Sequence, residues 1–462
     1  MKLNHKSVSK TLMMDSRSLN RSLLVIFLIL FSNVSYCQQS NTPVNEVKIG
    51  FRAAVVKINI TPSDPQMLLG YQDRKSTGVH DSIYHRIIIL DDGATQFFLV
   101  SSDICEFSPS QYDRIIRLIK QQLGINTINL WWSTTHTHSA PEVGPPGLAA
   151  AFLGERYKHE FNADYQALIE RTLIEGIREG LKKLSPARLG IGWGFSQANI
   201  NRRAIDIDGK ARLGLNPDGP VDRRIGLLRL DREDGTPLAL IANYPIHGTV
   251  LGGEYLEISG DAPGIVSEYV EQETGIPLVF INGAMGNLAP IYSVYPDPHS
   301  GHLGEFRVLL GDKILAANRM ISSTTNEVIL NTGAIVVETP RKAGMNWPSD
   351  LDDYTRTTKA GDTLVKLPVR FLNINEDVAI WSAPLELFCE ISNEIRDQSP
   401  FPFTFYFGLT NGWLGYLLPE SEFKHGGYEP EVSPFTPAAA SDLTEAVVTY
   451  LQGELRTHPV DF

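Results

Sequence analysis

The chain has 462 residues, of which 42% are hydrophobic and 20% charged, and its formal net charge is −12. That length suits one large domain or two ordinary ones, and the acidic balance argues against nucleic acid or an anionic membrane surface as the main partner. No low-complexity tract or internal repeat interrupts a composition typical of globular proteins.

Lys2, Lys6, Lys10, Arg17 and Arg21 precede the apolar run Leu23–Phe31, which is too short to span a bilayer. Ser35-Tyr36-Cys37 then sets small residues at −3 and −1, so 1–37 is expected to be a secretory signal peptide and the protein to be exported, periplasmic or secreted. An N-terminal anchor helix is the alternative, and bulky Tyr36 disfavours a lipoprotein attached through Cys37. The leader carries five Lys/Arg and one Asp, so the chain without it has a charge of −16. Residues 38–50 read as a linker and 51–462 as one folded domain, with no transmembrane span.

Ala53–Ile60, His85–Leu90 and Gln96–Ser102 are predicted strands, rich in β-branched and aromatic residues. An amphipathic helix follows over Ser110–Leu123, stopped by Gly124, and then an apolar strand over Thr127–Thr135. Pro141–Gly154 reads as a Gly/Pro/Ala loop forming a rim or lid, and Asp164–Leu184 as a helix. Strands are expected at Ala187–Trp193, Arg224–Asp231, Leu238–Tyr244 and Pro277–Ile281. Asp261 is expected to N-cap a helix ending near Gly275, with Pro263 near its first turn and no catalytic role for the aspartate. Leu309–Met320 is predicted helical, Leu367–Asn373 and Val378–Trp381 a hairpin, and Glu386–Arg396 and Asp442–Leu451 two further helices. This irregular alternation predicts an α/β fold with mixed β-sheets and flanking helices.

His136 and His138 end the strand that begins at Thr127. Residues i and i+2 point the same way if the chain stays extended, so the pair is either half of a zinc site or a hydrogen-bonded structural pair. The chain has no CxxC motif, so nitrogen and oxygen ligands must hold any zinc. With Cys37 removed, Cys105 and Cys389 remain and could form one disulfide. A zinc site with an open position needs at least three protein ligands. His247 follows an apolar strand beside Gly248. Glu386 lies where a strand meets a helix, although the dipole of a first helical turn would also explain an acid there. Tyr416 sits in a Gly-rich turn, where a packed aromatic is the plainer reading. Arg202 and Arg203 suit a polar or anionic substrate group, or ordinary surface ion pairs. Asn282–Pro290 reads as a loop bringing backbone N–H groups close to something.

The order of these motifs resembles the neutral/alkaline ceramidase family of zinc amidases. The matching segments are Thr135–Ser139, Asn201-Arg202, Leu215–Asp222, His247–Thr249, Ser259–Asp261, Asn282–Pro290, Pro384–Glu386 and Asn411–Tyr416. The resemblance implies that 51–462 is a neutral-ceramidase-like catalytic domain binding Zn2+ through His136, His247, Glu386 and Tyr416. It implies that His138 is a non-ligand proton-passing or substrate-binding group, that Arg202 contacts substrate, and that Tyr416 or a nearby donor stabilises an oxyanion. Ala289 stands where the ceramidases have a serine, Leu385, Ala140 and Glu142 replace family glycines, and the chain stops soon after Leu451, without the family's C-terminal β-sandwich. The expected substrate is therefore an N-acyl compound, a ceramide-like lipid or an N-acylated sugar. A zinc esterase or glycan hydrolase is the alternative, as is a non-catalytic lipid- or sugar-binding envelope protein. Amidohydrolase barrels and metallo-β-lactamases also use HxH, but three strands and a helix precede this pair, and Ala140-Pro141 stand where the latter need Asp-His.

Overall fold

Apolar residues fill both faces of the central strands, and that requirement organises the molecule. In Tyr84–Asp91, Ile87 and Ile89 enter one buried cluster while Ile88 and Leu90 enter another on the opposite side. Period-2 alternation with both faces apolar demands a covering layer on each side. The structure, a computed structural model, describes residues 50–154, 157–294 and 300–453. The expected signal peptide and all of the expected linker but Gly50 lie outside them. Among the described residues no helix is long and apolar enough to cross a membrane.

Eight strands form the larger sheet: β1 (Arg52–Asn59), β2 (Tyr84–Asp91), β3 (Gln96–Ser102), β4 (Leu130–Thr134), β5 (Ser185–Phe195), β6 (Arg224–Arg232), β7 (Pro237–Tyr244) and β8 (Leu278–Asn282). Their order is β8-β7-β6-β5-β1-β2-β3-β4. The outermost pairs, β7 with β8 and β3 with β4, are parallel, and the pairs between them antiparallel. A second sheet has β9 (Leu330–Pro340), β10 (Thr363–Ile374), β11 (Val378–Ser382) and β12 (Phe403–Phe407) in sequential order. The two sheets share one core, in which Ile88, Leu99 and Trp131 meet Leu372, Ile380 and Phe407.

The helices α1 (Pro109–Leu123), α2 (Ala163–Lys183), α3 (Asp261–Thr274) and α4 (Asp312–Met320) cover the outer face of the larger sheet. Helices α5 (Cys389–Gln398) and α6 (Ala439–Leu451) cover that of the smaller. The result is a four-layer α/β/β/α arrangement of mixed sheets flanked by helices, as the sequence predicts.

Several expectations are corrected. Glu386 is not in a helix: Glu386–Leu387 pair in parallel with Tyr416–Leu417, and α5 begins only at Cys389. Thr127–Asn129 form a 3-10 turn before β4. The strand over Leu330–Pro340 and the Asn199–Ile205/Ala211–Asn216 pair are additional elements. Pro141–Gly154 is not an open rim: Pro141, Glu142, Val143 and Gly144 are buried, and Leu148–Leu153 is a short helix. Cys105 and Cys389 are both buried free thiols.

Candidate metal centre

Three chain segments emerge from the sheets at one place. The first leaves β4. His136 adopts φ +60°, so the chain does not stay extended there, contrary to the simplest i, i+2 reading. Backbone bonds tie this turn to the segment after β7: His138 N–H donates to Gly248 O at 2.9 Å and Gly248 N–H to His136 O at 3.2 Å. A Cβ on residue 248 would lie 2.6 Å from the Thr137 Cα, so only glycine allows this approach. The third segment carries Glu386. Gly286 N–H donates to Leu387 O at 2.8 Å, and a Cβ at 286 would be 2.6 Å from Glu386 O. The backbone approach expected of the Asn282–Pro290 loop is thus toward the segment bearing the carboxylate.

His136, His247 and Glu386 converge, with one ligand atom of each within 4.8 Å of the others. All three are buried. His136 Nδ1 donates to Cys105 O at 3.0 Å and His247 Nδ1 to Leu288 O at 2.8 Å. These bonds fix the tautomers and leave both Nε2 lone pairs facing inward. His247 Nε2 meets Glu386 Oε2 at 2.9 Å, and His136 Nε2 meets the same oxygen at 3.4 Å. Acceptors facing acceptors is an arrangement that a cation satisfies, so the donor set fits a metal ion. Glu386 Oε1 is held by Trp413 Nε1–H at 2.9 Å. Burial works to raise the Glu386 carboxyl, but His136 and His247 outweigh it and hold it well below the usual carboxylate range. Burial, reinforced by Arg202, draws His247 down to about 4.

Glu386 and Tyr416 are direct partners in their two-residue ladder. The buried Tyr416 hydroxyl faces the Glu386 carboxylate and accepts from Arg202 Nη2 at 3.0 Å. Burial first, then Glu386, push its pKa well above the ordinary tyrosine value. Arg202 Nη1 reaches His247 Nε2 at 2.9 Å, and its Nε donates to Glu429 at 3.0 Å. Arg203 donates to the same carboxylate at 2.5 Å, and its side chain is 3% exposed, which rules out surface pairing. His138 Nε2 lies 3.1 Å from His136 Nε2 and its ring packs edge-on to Tyr71 at 4.9 Å. Burial, then the His136 and His247 charges, hold His138 well below the usual imidazole pKa. Its Nδ1 has no hydrogen-bond partner among the described residues.

All six residues singled out from sequence, His136, His138, Arg202, His247, Glu386 and Tyr416, therefore gather at one place. Sequence reasoning missed Trp413 and Glu429 as their supports; the first lies inside the Asn411–Tyr416 motif and was open to detection. Asp261 is not the N-cap expected of it: Gly260 holds that position and Asp261 is the first residue of α3. Its carboxylate accepts from Val250 N–H at 3.1 Å and Leu251 N–H at 2.8 Å, bracing the segment that follows His247. Ala289 is buried beside Leu288, whose carbonyl pins His247. A separate cavity of about 490 Å³ touches Pro384, Thr410 and Asn411 but none of the converged groups.

Residues 54–279 match the sequence model of the neutral/alkaline non-lysosomal ceramidase family, N-terminal region. Neutral ceramidase B of Dictyostelium discoideum is 25% identical over 279 residues, 55% of this chain and 37% of that protein. Neutral ceramidase A of the same organism is 25% identical over 187 residues, 39% of this chain and 25% of its own length. The chain thus spans well under half of these relatives. The crystal structure of neutral ceramidase from Pseudomonas aeruginosa superposes with a TM-score of 0.72 at 18% identity, over 89% of this chain and 76% of that one. A ceramidase complexed with C2 gives 0.71 at 17% identity, over 89% and 77%. At such identities the superpositions establish a shared fold.

Proposed function

We propose that this chain, which belongs to the neutral/alkaline non-lysosomal ceramidase family through residues 54–279, is a zinc-dependent hydrolase that cleaves the amide bond of an N-acyl compound. The observation that carries this reading is the convergence of His136 Nε2, His247 Nε2 and Glu386 Oε2, with both Nδ1 atoms committed to backbone carbonyls. A nitrogen and carboxylate donor set suits zinc, and Tyr416 would complete it. The chemistry such an ion supplies is Lewis acidity, which brings the pKa of a water toward roughly 7 and polarises an acyl carbonyl.

The chain's own residues do the rest. Arg202, anchored by Glu429, holds the Tyr416 hydroxyl and presents positive charge where oxygen charge develops in amide cleavage. His138 is kept neutral by burial and by its two histidine neighbours, and its Nε2, facing the His136 Nε2 lone pair at 3.1 Å, carries the proton that it is able to deliver to the departing nitrogen. The packed turn around Tyr71 and Gly70 fixes the His138 ring. A ceramide-like lipid or an N-acylated sugar fits this chemistry. Buried Ala289, in place of a serine, leaves ester or glycan bonds as a second reading. A non-catalytic binding role would leave three buried acceptors facing one another, with Arg202 reaching only His247 Nε2 among them, which is costly. The leader-like Leu23–Cys37 segment supports export to the periplasm or the medium.

Purified protein should carry about one zinc per chain, and His247→Ala should abolish both metal and activity. Freshly purified wild type without stoichiometric metal would sink the enzyme reading. A screen of N-acyl lipids, N-acetyl sugars, aryl esters and aryl glycosides tests the bond: cleavage confined to esters or glycosides overturns the amidase assignment.

A further inference from the structure

Eight acidic residues are buried among the described residues: Asp91, Asp103, Glu106, Glu142, Asp231, Asp261, Glu386 and Glu429. Seven have partners. Asp91 pairs with Arg52, Asp103 with Arg86 and Asp231 with Arg229. Glu142 takes the Tyr157 hydroxyl and His159 Nε2, Asp261 backbone N–H groups, Glu386 Trp413 and His247, and Glu429 two arginines. Glu106 alone makes no side-chain hydrogen bond or ion pair among the described residues, although it is only 9% exposed.

Its position is fixed from both sides. The preceding carbonyl, of Cys105, holds His136 Nδ1 at 3.0 Å and Thr134 Oγ1 at 2.8 Å. The next residue, Phe107, stacks on Trp132 with ring centroids 4.2 Å apart. Glu106 thus sits on a rigid turn one residue from the group that orients a converged histidine. Its carboxyl is near enough to Glu386, Glu142 and Tyr428 for their charges to act on it or it on them. The side chain is nearly buried while its carboxyl oxygens have no internal partner, so a ligand donor that reaches them meets free acceptors.

Resting on the hydrolase reading above, we propose that Glu106 is a specificity-determining residue, whose carboxyl binds hydroxyl groups next to the scissile amide and selects N-acyl derivatives of polyhydroxylated amines, of the amino-sugar type. A hydroxyl both donates and accepts, so it pairs with this carboxyl in either protonation state. Two oxygens free of internal partners on one planar group also suit adjacent hydroxyls better than a single donor. Sites built to bond a substrate hydroxyl reject the analogue lacking it, because their own polar group is then left unpaired.

The test is a matched pair with one acyl chain and one ring size, N-hexanoyl-glucosamine and N-hexanoyl-cyclohexylamine, assayed with the zinc-loaded enzyme. Wild type should favour the hydroxylated compound in kcat/KM by about 30-fold or more, Glu106→Gln should keep that ratio within about threefold, and Glu106→Leu should shrink it at least tenfold. Equal loss on both compounds in Glu106→Leu, or no preference in wild type, overturns the proposal. Turnover of neither compound counts against the hydrolase reading instead, and calorimetric binding of the same pair then decides. Selective binding of the hydroxylated compound that Glu106→Leu removes upholds the role of Glu106, and equal binding overturns it.

Discussion

Gly248 lies backbone to backbone against Thr137, and through that contact the turn carrying His136 and the turn carrying His247 are one rigid piece. A methyl group at 248 would meet the Thr137 Cα at 2.6 Å, and backbone cannot step aside as a flexible side chain would. Gly248→Ala should therefore separate the two Nε2 atoms. The expected result is weakened zinc retention and a fall in activity of about 100-fold, with the protein still folded. Metal analysis beside circular dichroism checks it; full zinc occupancy with normal activity would refute this role for the glycine.

Glu429 is the shared counter-charge of Arg202 and Arg203. Removing its charge strands two buried guanidinium groups, which only partly exposed Glu422 and the site itself can then answer. Glu429→Gln should destabilise the fold by about 3–5 kcal/mol, read as a shift in the denaturant midpoint. A change within about 0.5 kcal/mol would mean that the arginines are satisfied elsewhere.

His85 gives a pH prediction away from the converged histidines. Trp132 Nε1–H donates to Ser102 Oγ at 2.8 Å, so the Ser102 hydroxyl donates to His85 Nδ1 at 2.6 Å and His85 Nε2–H to Ile169 O at 3.2 Å. Burial draws this neutral ring down to about 4. Between pH 6.5 and about 4 the unfolded chain takes a proton that the folded one refuses, so stability falls as the pH drops through that window. The loss amounts to about 3 kcal/mol. His85→Gln should flatten the acid side of the stability–pH curve by that amount. Parallel curves for variant and wild type would contradict it.

Trp413→Phe removes the donor that holds Glu386 Oε1 while keeping an aromatic ring. Outer-shell partners of this kind typically contribute about 10–100-fold in metal affinity, and a loss in that range is expected in zinc competition against a chelator. Unchanged affinity would show that the ladder with Tyr416 suffices to hold the carboxylate.

Side-chain chemistry was legible in the sequence, whereas backbone chemistry was not. The two histidine-bearing turns, Glu386, Tyr416 and Arg202 each carry a residue type and a local pattern that can be read. The carbonyls of Cys105 and Leu288, which fix the two tautomers, are groups that any residue supplies. Glu386 reads as the first turn of a helix at a strand end, where the dipole favours an acid, but its pairing with Tyr416 is set by chain 30 residues away. Gly333 interrupts the pattern of β9 because the hydroxyl end of Tyr450 occupies the place of a side chain there. Arg203 reads equally as a substrate contact or a surface ion pair because its partner, Glu429, lies 226 residues further on.

Trp413 also turns the centre into its own optical gauge. An indole hydrogen-bonded to a carboxylate should change its emission when that carboxylate is drawn toward a cation, so binding of the proposed ion would be timed by fluorescence without a label. The chain holds six tryptophans, and subtracting the Trp413→Phe trace isolates the one that touches the site.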